Sequence, residues 1–70
     1  MMTPIKIHTD YITLGQFLKL ANLIDNGGAA KYFLASTVVI VNNENESRRG
    51  RKLYPDTIVA VKGKEYQIVK

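Results

Sequence analysis

The hydrophobic pattern of this 70-residue chain changes its period near Val38, and that change limits the folds it can adopt. Before Val38, apolar residues recur three and four positions apart, which is typical of helices that bury one face. From Val38 onward, β-branched and alternating apolar residues favour strands. Together with an alternating N-terminal segment at about residues 4–8, the pattern predicts an α+β domain in the order β-α-α-β-β-β.

Two short helices are predicted in the first half of the chain. Thr13 and Gln16 form a Thr-x-x-Gln capping box, which favours a helix start at Thr13. We expect this helix to end at the Asn26-Gly27-Gly28 segment, where a glycine can adopt the left-handed cap conformation. The second helix is predicted over about residues 29–35. The buried faces are predicted from Leu14, Phe17, Leu18 and Ala21, widened by Leu20, Leu23 and Ile24, and from Ala30, Phe33 and Leu34.

Three strands are predicted in the second half. Val38 to Val41 is β-branched throughout and is predicted to be buried on both faces. Residues 57–61 and 65–69 are predicted to form two further strands, joined by a tight turn at Lys62-Gly63-Lys64. We therefore expect a single domain over residues 1–70, with two short helices packed on a small, mainly antiparallel sheet. The last strand is a candidate for an exposed sheet edge.

Positive charge is concentrated in residues 48–52, here called the basic segment. Arg48, Arg49, Arg51 and Lys52 lie in it, whereas residues 1–30 hold two lysines and two aspartates. The formal charge of +4 therefore originates in the second half. The planar guanidinium group suits phosphate oxygens and stacks on bases, so the basic segment favours a nucleic-acid partner. A solvated loop would have a similar composition.

Other residue types argue against catalysis. The chain has no cysteine and one histidine, so a structural zinc site is not expected. Its six carboxylates are scattered, and no nucleophile or nucleotide-binding motif is present. We expect neither an enzyme nor a cofactor. The longest apolar run is far shorter than the ~20 residues of a membrane helix, and the N-terminus lacks a signal-peptide pattern. A cytoplasmic monomer without a membrane partner is the expectation.

Two of the four tyrosines are candidates for stacking on RNA bases. Tyr54 follows the basic segment, and Tyr32 lies beside Lys31 on the second predicted helix. Tyr66 alternates with polar residues in the last predicted strand and is assigned to the core. The amides of Gly27-Gly28 are a further candidate for contact with phosphate, although a turn alone would explain these glycines.

The order of these signals resembles a known family. The residues that carry the resemblance are Leu14-x-x-Phe17-Leu18, Gly28-x-Ala30-Lys31-x-x-Leu34, Val39-x-Val41-Asn42-Asn43, the basic segment with Leu53, and Tyr54-Pro55-Asp56-Thr57-Ile58-Val59. Over about residues 12–62 they are similar to the RNA-binding domain named after small-subunit ribosomal protein S-four, also called the alpha-L motif. The extra N-terminal strand and the basic segment are most similar to small stand-alone bacterial members.

The resemblance implies that structured RNA, either ribosomal RNA or tRNA, binds across the two helices and the neighbouring loop of the β portion. The ribosome is a candidate partner, and the resemblance leaves open whether the protein acts on the ribosome, on a tRNA or on a message. Many members carry Ser-Arg at the start of helix two, where this chain has Gly27-Gly28, so the basic segment would have to replace the missing arginine. The matching positions imply these RNA-binding residues: Lys19, Lys31, Asn42, Asn43, Arg48, Arg49, Arg51 and Lys52.

Two other functions fit the same residues. The helical hairpin could dock on an acidic protein surface, as an interaction module in a ribosome-associated or replication complex. It could also bind duplex DNA, but the only basic residue in helix two is Lys31, which disfavours that interpretation.

Overall fold

The computed structural model describes residues 2–70, which form a five-stranded sheet, a separate two-stranded ribbon and two short helices. The elements are β1 (Met2–Lys6), β2 (Ile12–Thr13), α1 (Leu14–Leu20), a 3-10 turn (Gly27–Ala29), α2 (Ala30–Ser36), β3 (Val39–Val41), β4 (Glu44–Asn45), β5 (Lys52–Leu53), β6 (Ile58–Val61) and β7 (Lys64–Val69). The sheet order is β1-β7-β6-β3-β4, and β2 pairs with β5. Among the strands of residues 2–70, β1 and β7 are the only parallel pair.

The predicted α+β class and the mainly antiparallel sheet are confirmed, but the structure has more strands than the predicted element order. Three two-residue strands, β2, β4 and β5, are added to it. The N-terminal strand lies at Met2–Lys6 instead of residues 4–8, and Ile5 pairs with Ile68. Because β1 covers β7, the prediction of an exposed edge at the last strand is wrong, and the edges of the sheet are β1 and β4.

The predicted start of α1 is confirmed and its predicted end is wrong. Thr13 caps the helix, and its side chain and that of Gln16 form both bonds of the capping box. The helix ends at Leu20, and Asn22, two residues later, adopts a φ of 60°. The Leu23 amide donates to the Leu18 carbonyl, and the Asn22 amide donates to Lys19. This is a Schellman motif with asparagine in the place that glycine usually takes.

The two glycines expected to cap α1 have a different role. Gly27 and Gly28 lie in the 3-10 turn, and neither has a positive φ. The turn leads directly into α2, whose Ala30 and Leu34 are buried while Phe33 is half-buried. The helix face predicted from the sequence is therefore confirmed.

The core lies between α1, α2 and one face of the sheet. Leu14, Phe17 and Leu18 are fully buried, and the Phe17 ring meets Tyr66 edge-on at 5.2 Å between centroids. Burying side chains of this size stabilises the fold by roughly 1.5–3 kcal/mol each. Alternate strand residues complete the core: Ile5, Val39, Val41, Val59, Val61 and Ile68.

The strand β3 is less buried than predicted. Val38 lies outside it and is 68% exposed, and Ile40 is half-buried. Only Val39 and Val41 face the core, so the β-branched run forms a strand with one fully buried face. Within residues 2–70, no helix is long or apolar enough to cross a bilayer.

Candidate nucleic-acid interface

The backbone of the basic segment is anchored to the start of α1. The Leu14 amide donates to the Arg51 carbonyl at 2.8 Å, and the Gly15 amide donates to the Arg49 carbonyl at 2.9 Å. Amides in the first turn of a helix have no partner inside the helix, so these bonds satisfy donors that would otherwise need water. The basic segment is therefore held in a defined place and is not a free loop.

The ribbon of β2 and β5 orients the end of the basic segment. Ile12 pairs with Leu53, and Thr13 pairs with Lys52. Both Ile12 and Leu53 are buried, and successive residues of a strand point to opposite faces. The ribbon thus turns the Lys52 side chain away from the core and towards solvent.

A buried carboxylate, Glu46, organises two of the arginines. Its Oε2 accepts from Arg48 Nε at 3.0 Å, and its Oε1 accepts from Arg48 Nη2 at 3.0 Å and Arg51 Nη1 at 2.9 Å. The amides of Ser47 and Arg48 also donate to Oε2. The Arg48 hydrogen bond, followed by that of Arg51, holds the pKa of Glu46 well below its ordinary value, although burial acts in the opposite direction. The same contact raises the pKa of Arg48.

Glu46 was missed as a functional residue in the sequence, where it belongs to the polar turn before the basic segment. The available signal was its position, two residues before the first arginine. The burial of this side chain, which is 6% exposed, depends on the hairpin of β3 and β4 and has no local sequence signature. Its ionic contacts fix the two guanidinium groups relative to each other.

Five of the predicted site residues meet in one open groove of about 590 Å³, here called the basic groove. Its cations are Arg48, Arg51 and Lys52. Hydrogen-bond donors of this density, with an aromatic side chain beside them, suit a phosphate-bearing ligand that also presents bases. The groove is lined by Asn42, Arg48, Gly50, Arg51, Lys52, Tyr54 and Thr57.

Asn42 has a structural role beside its place in the basic groove. Its Oδ1 accepts from the Ile58 amide at 3.0 Å, and its own amide donates to the Ile58 carbonyl at 2.9 Å. These bonds join the turn after β3 to the start of β6. Asn42 and Asn43 have φ values of 48° and 70°, which is typical of a type I′ hairpin turn. Asn43 is exposed in that turn.

The remaining predicted residues lie outside the basic groove. Arg49 lines a second shallow groove with Gly15, Gly27 and Ala30, between the helices and the basic segment. Lys19 lies on α1 beside Gln16 and Leu20. On α2, Lys31 and Tyr32 are exposed, the latter by 73%. The structure therefore divides the predicted site between the basic groove and the helical side.

Two tyrosines adjoin the basic groove. Tyr11 and Tyr54 have ring centroids 5.6 Å apart with a 50° angle between their planes. Lys52 Nζ lies 5.1 Å from the Tyr11 centroid. Tyr11 was not singled out as a site residue from the sequence, and the signal that would have placed it is its position immediately before β2, opposite Tyr54.

The described residues contain no group of three His, Asp or Glu side chains that could hold a metal ion.

Comparison with known proteins identifies a family and a similar protein. A family model described as the S4 domain matches residues 5–69. The chain is 56% identical over 63 residues to a Bacillus subtilis (strain 168) protein named "Probable ribosome maturation protein RlbA", which covers 90% of this chain and 89% of the relative. No solved structure is significantly similar to the chain.

Proposed function

The chain belongs to the S4-domain family, and on that premise we propose that it is a non-catalytic RNA-binding protein that acts in ribosome maturation. It docks on structured ribosomal RNA or tRNA through the basic groove. The observation that carries this proposal is the convergence of Arg48, Arg51 and Lys52 in one groove anchored to α1. We infer that it acts in the cytoplasm, as a monomer bound to RNA.

The proposed mechanism is electrostatic docking by preorganised cations. Glu46 neutralises one of the four positive charges of the basic segment and holds Arg48 and Arg51 in place before RNA arrives. Arg48 donates to Glu46 from Nε and Nη2, so its remaining N–H groups are the donors available to phosphate. Side chains that are already ordered lose less entropy on binding. Glu46 therefore lowers the positive charge of the basic segment by one unit, and in return it fixes the positions of the two guanidinium groups.

The helical side supplies a second set of contacts in this proposal. Arg49 lines the second shallow groove with Gly27, where a ligand backbone can approach closely because no atom occupies the space of a side chain. Lys19, Lys31 and Tyr32 extend the contact along the helices, and Asn43 extends it at the turn. Side chains read little base sequence in the deep groove of A-form RNA, so binding depends mainly on RNA shape.

The salt dependence of binding tests this mechanism. If about five phosphates are contacted, log K falls with log salt at a slope of about −3.5 to −4.5. The probes are fluorescently labelled tRNA and hairpin fragments of ribosomal RNA, titrated at several salt concentrations. Replacing Arg48 and Lys52 with glutamine weakens binding to all sequences alike and makes the slope shallower by about two.

The matched control removes two charges at the far end of β6. Lys62→Gln with Lys64→Gln lies at the turn after Val61, whereas the basic groove adjoins Ile58 at the other end of the strand. This control variant should bind with the wild-type slope. Equal affinity and equal slope for the Arg48/Lys52 variant and wild type would show that the basic groove is not the RNA surface. A nuclease-resistant protein partner retained from cells would then indicate a protein-interaction module.

A further inference from the structure

The outer face of the ribbon formed by β2 and β5 carries aromatic side chains that phosphate binding does not require. Ile12 and Leu53 are paired and buried, so strand alternation turns their neighbours outward. Continuing the register by one position places Tyr11 opposite Tyr54. Their rings lie 5.6 Å apart, and they are 38% and 51% exposed. Two large aromatic side chains therefore remain partly in water at the mouth of a cationic groove.

The two rings have different surroundings. Lys52 Nζ lies over the Tyr11 ring, 5.1 Å from its centroid, in the geometry of a cation–π contact. Tyr54 lines the basic groove with Arg48 and Arg51. Tyr11 supports Tyr54 from the neighbouring strand and limits the orientations that the Tyr54 ring can adopt. Both rings therefore lie beside cations of the basic groove, and Tyr54, which lines the groove, is the more exposed of the two.

We propose that Tyr54, supported by Tyr11, stacks on one unpaired base of the bound RNA while Lys52 and Arg48 hold the adjoining phosphates. This proposal rests on the RNA-binding function above and narrows its ligand to a helical RNA with an unpaired nucleotide next to the helix. Bases inside a helix are stacked on each other and offer only their edges, whereas an unpaired base presents a face that an aromatic ring can cover.

A cross-strand aromatic pair also stabilises a short ribbon, so the experiment separates stacking from folding. Three versions of one RNA hairpin serve as probes. The first is blunt, the second carries unpaired extensions containing 2-aminopurine, and the third carries the same extensions with abasic sites. Anisotropy gives the affinity of each, and 2-aminopurine fluorescence reports stacking. Because the comparison of the second and third probes uses wild-type protein, it does not depend on the folding of any variant.

We expect wild type to bind the base-bearing hairpin about 5- to 150-fold more tightly than the abasic one, since stacking of one base on an aromatic side chain has that effect. The 2-aminopurine fluorescence should be quenched on binding. Tyr54→Leu should lose this preference, so that it binds the base-bearing and the abasic hairpins with equal affinity. Tyr54→Phe keeps the ring and should keep the preference. Thermal melting of both variants measures their effect on stability.

Three results would overturn the proposal. Equal wild-type affinity for the base-bearing and abasic hairpins, with blunt-hairpin binding intact, would reject the stacking site and leave the RNA-binding function in place. Loss of the preference in Tyr32→Leu, with Tyr54→Leu unaffected, would place stacking on α2 instead. Failure of wild type to bind any of the three hairpins would reject the RNA-binding function and the stacking site together.

Discussion

At the scale of single residues, the arrangement of the candidate interface depends on Glu46. A buried carboxylate is costly unless it is paired, and here two guanidinium groups and two backbone amides compensate for its burial. Arg48 is largely exposed and Arg51 is about one quarter exposed, so the same ion pairs extend from the interior to the surface. One residue therefore links the stability of the fold to the arrangement of the basic groove.

Glu46→Gln tests that link through pH. The folded-state pKa of Glu46 is lowered from its ordinary value of 4.5. When the pH falls below 4.5, Glu46 is therefore protonated in the unfolded chain while it stays ionised in the folded chain. The ionised carboxylate makes its full contribution to the free energy of unfolding above about pH 4.5, and this contribution decreases as the pH falls toward the folded-state pKa. At pH 7 the variant should be less stable by roughly 1–3 kcal/mol. Urea denaturation of both proteins at pH 7 and pH 3 should show this difference shrinking in acid.

A difference that stays constant between pH 7 and pH 3 would contradict the role given to the Glu46 charge. The exposed residue Glu44, which lies two positions earlier in β4, provides the control. Glu44→Gln should change stability little at either pH, because it removes a surface charge without breaking a buried network.

The sequence predicted which types of residue form the candidate site, but it did not predict where their side chains point. The basic segment and its preference for arginine follow from composition, and five predicted side chains do meet in the basic groove. The sequence does not separate Arg49, which faces the helices, from Arg48 and Arg51, which face Glu46. The division appears only in the fold, where Glu46 holds the side chains of Arg48 and Arg51 and the Arg49 carbonyl accepts from the Gly15 amide.

At the scale of secondary-structure elements, turns set the registers that build the site. The hairpin of β3 and β4 turns through Asn42 and Asn43, and that of β6 and β7 turns through Lys62 and Gly63. Both turns have positive φ at their two central residues, which matches the right-handed twist of the strands. The first of these turns brings Glu46 back alongside β3, where its amide donates to Val39. Burial of the carboxylate follows from that register.

Asn43→Gly tests the first turn. Asn43 has a φ of 70°, which glycine adopts without the steric cost of a side chain, so we expect stabilisation by a few tenths to about 1 kcal/mol. Asn45→Gly is the matched control, since Asn45 lies in the extended strand β4 and the same change there should destabilise by roughly 0.5–1 kcal/mol. Thermal denaturation measures both. Destabilisation by Asn43→Gly would argue against this turn geometry.

Long, periodic elements were predicted well, and short ones were not. The capping box located the start of α1 at Thr13 because both of its bonds are local. The end at Leu20 was missed, because asparagine at position 22 is a weaker stop signal than the glycines that follow. The two-residue strands have too few residues to show a period. They form only because tertiary pairing brings β2 to β5 and β3 to β4.

At the scale of the whole molecule, the fold joins distant segments into one surface. The basic groove combines the turn after β3, the basic segment and the turn before β6, and the basic segment is itself fixed to α1. The predicted resemblance to the S4-type domain is confirmed by the family match over residues 5–69. The parallel pairing of β1 with β7 was not anticipated, since it joins the two ends of the chain.

An NMR titration identifies the residues that contact RNA. Isotope-labelled protein is titrated with an RNA hairpin from the salt-dependence experiment, and backbone amide shifts are followed residue by residue. RNA binding in the basic groove predicts the largest changes in residues 42–57 and at the start of α1, with little change at the Lys62-Gly63 turn or in β1. Changes centred on β1 or on the Lys62-Gly63 turn, with the basic groove unaffected, would contradict it.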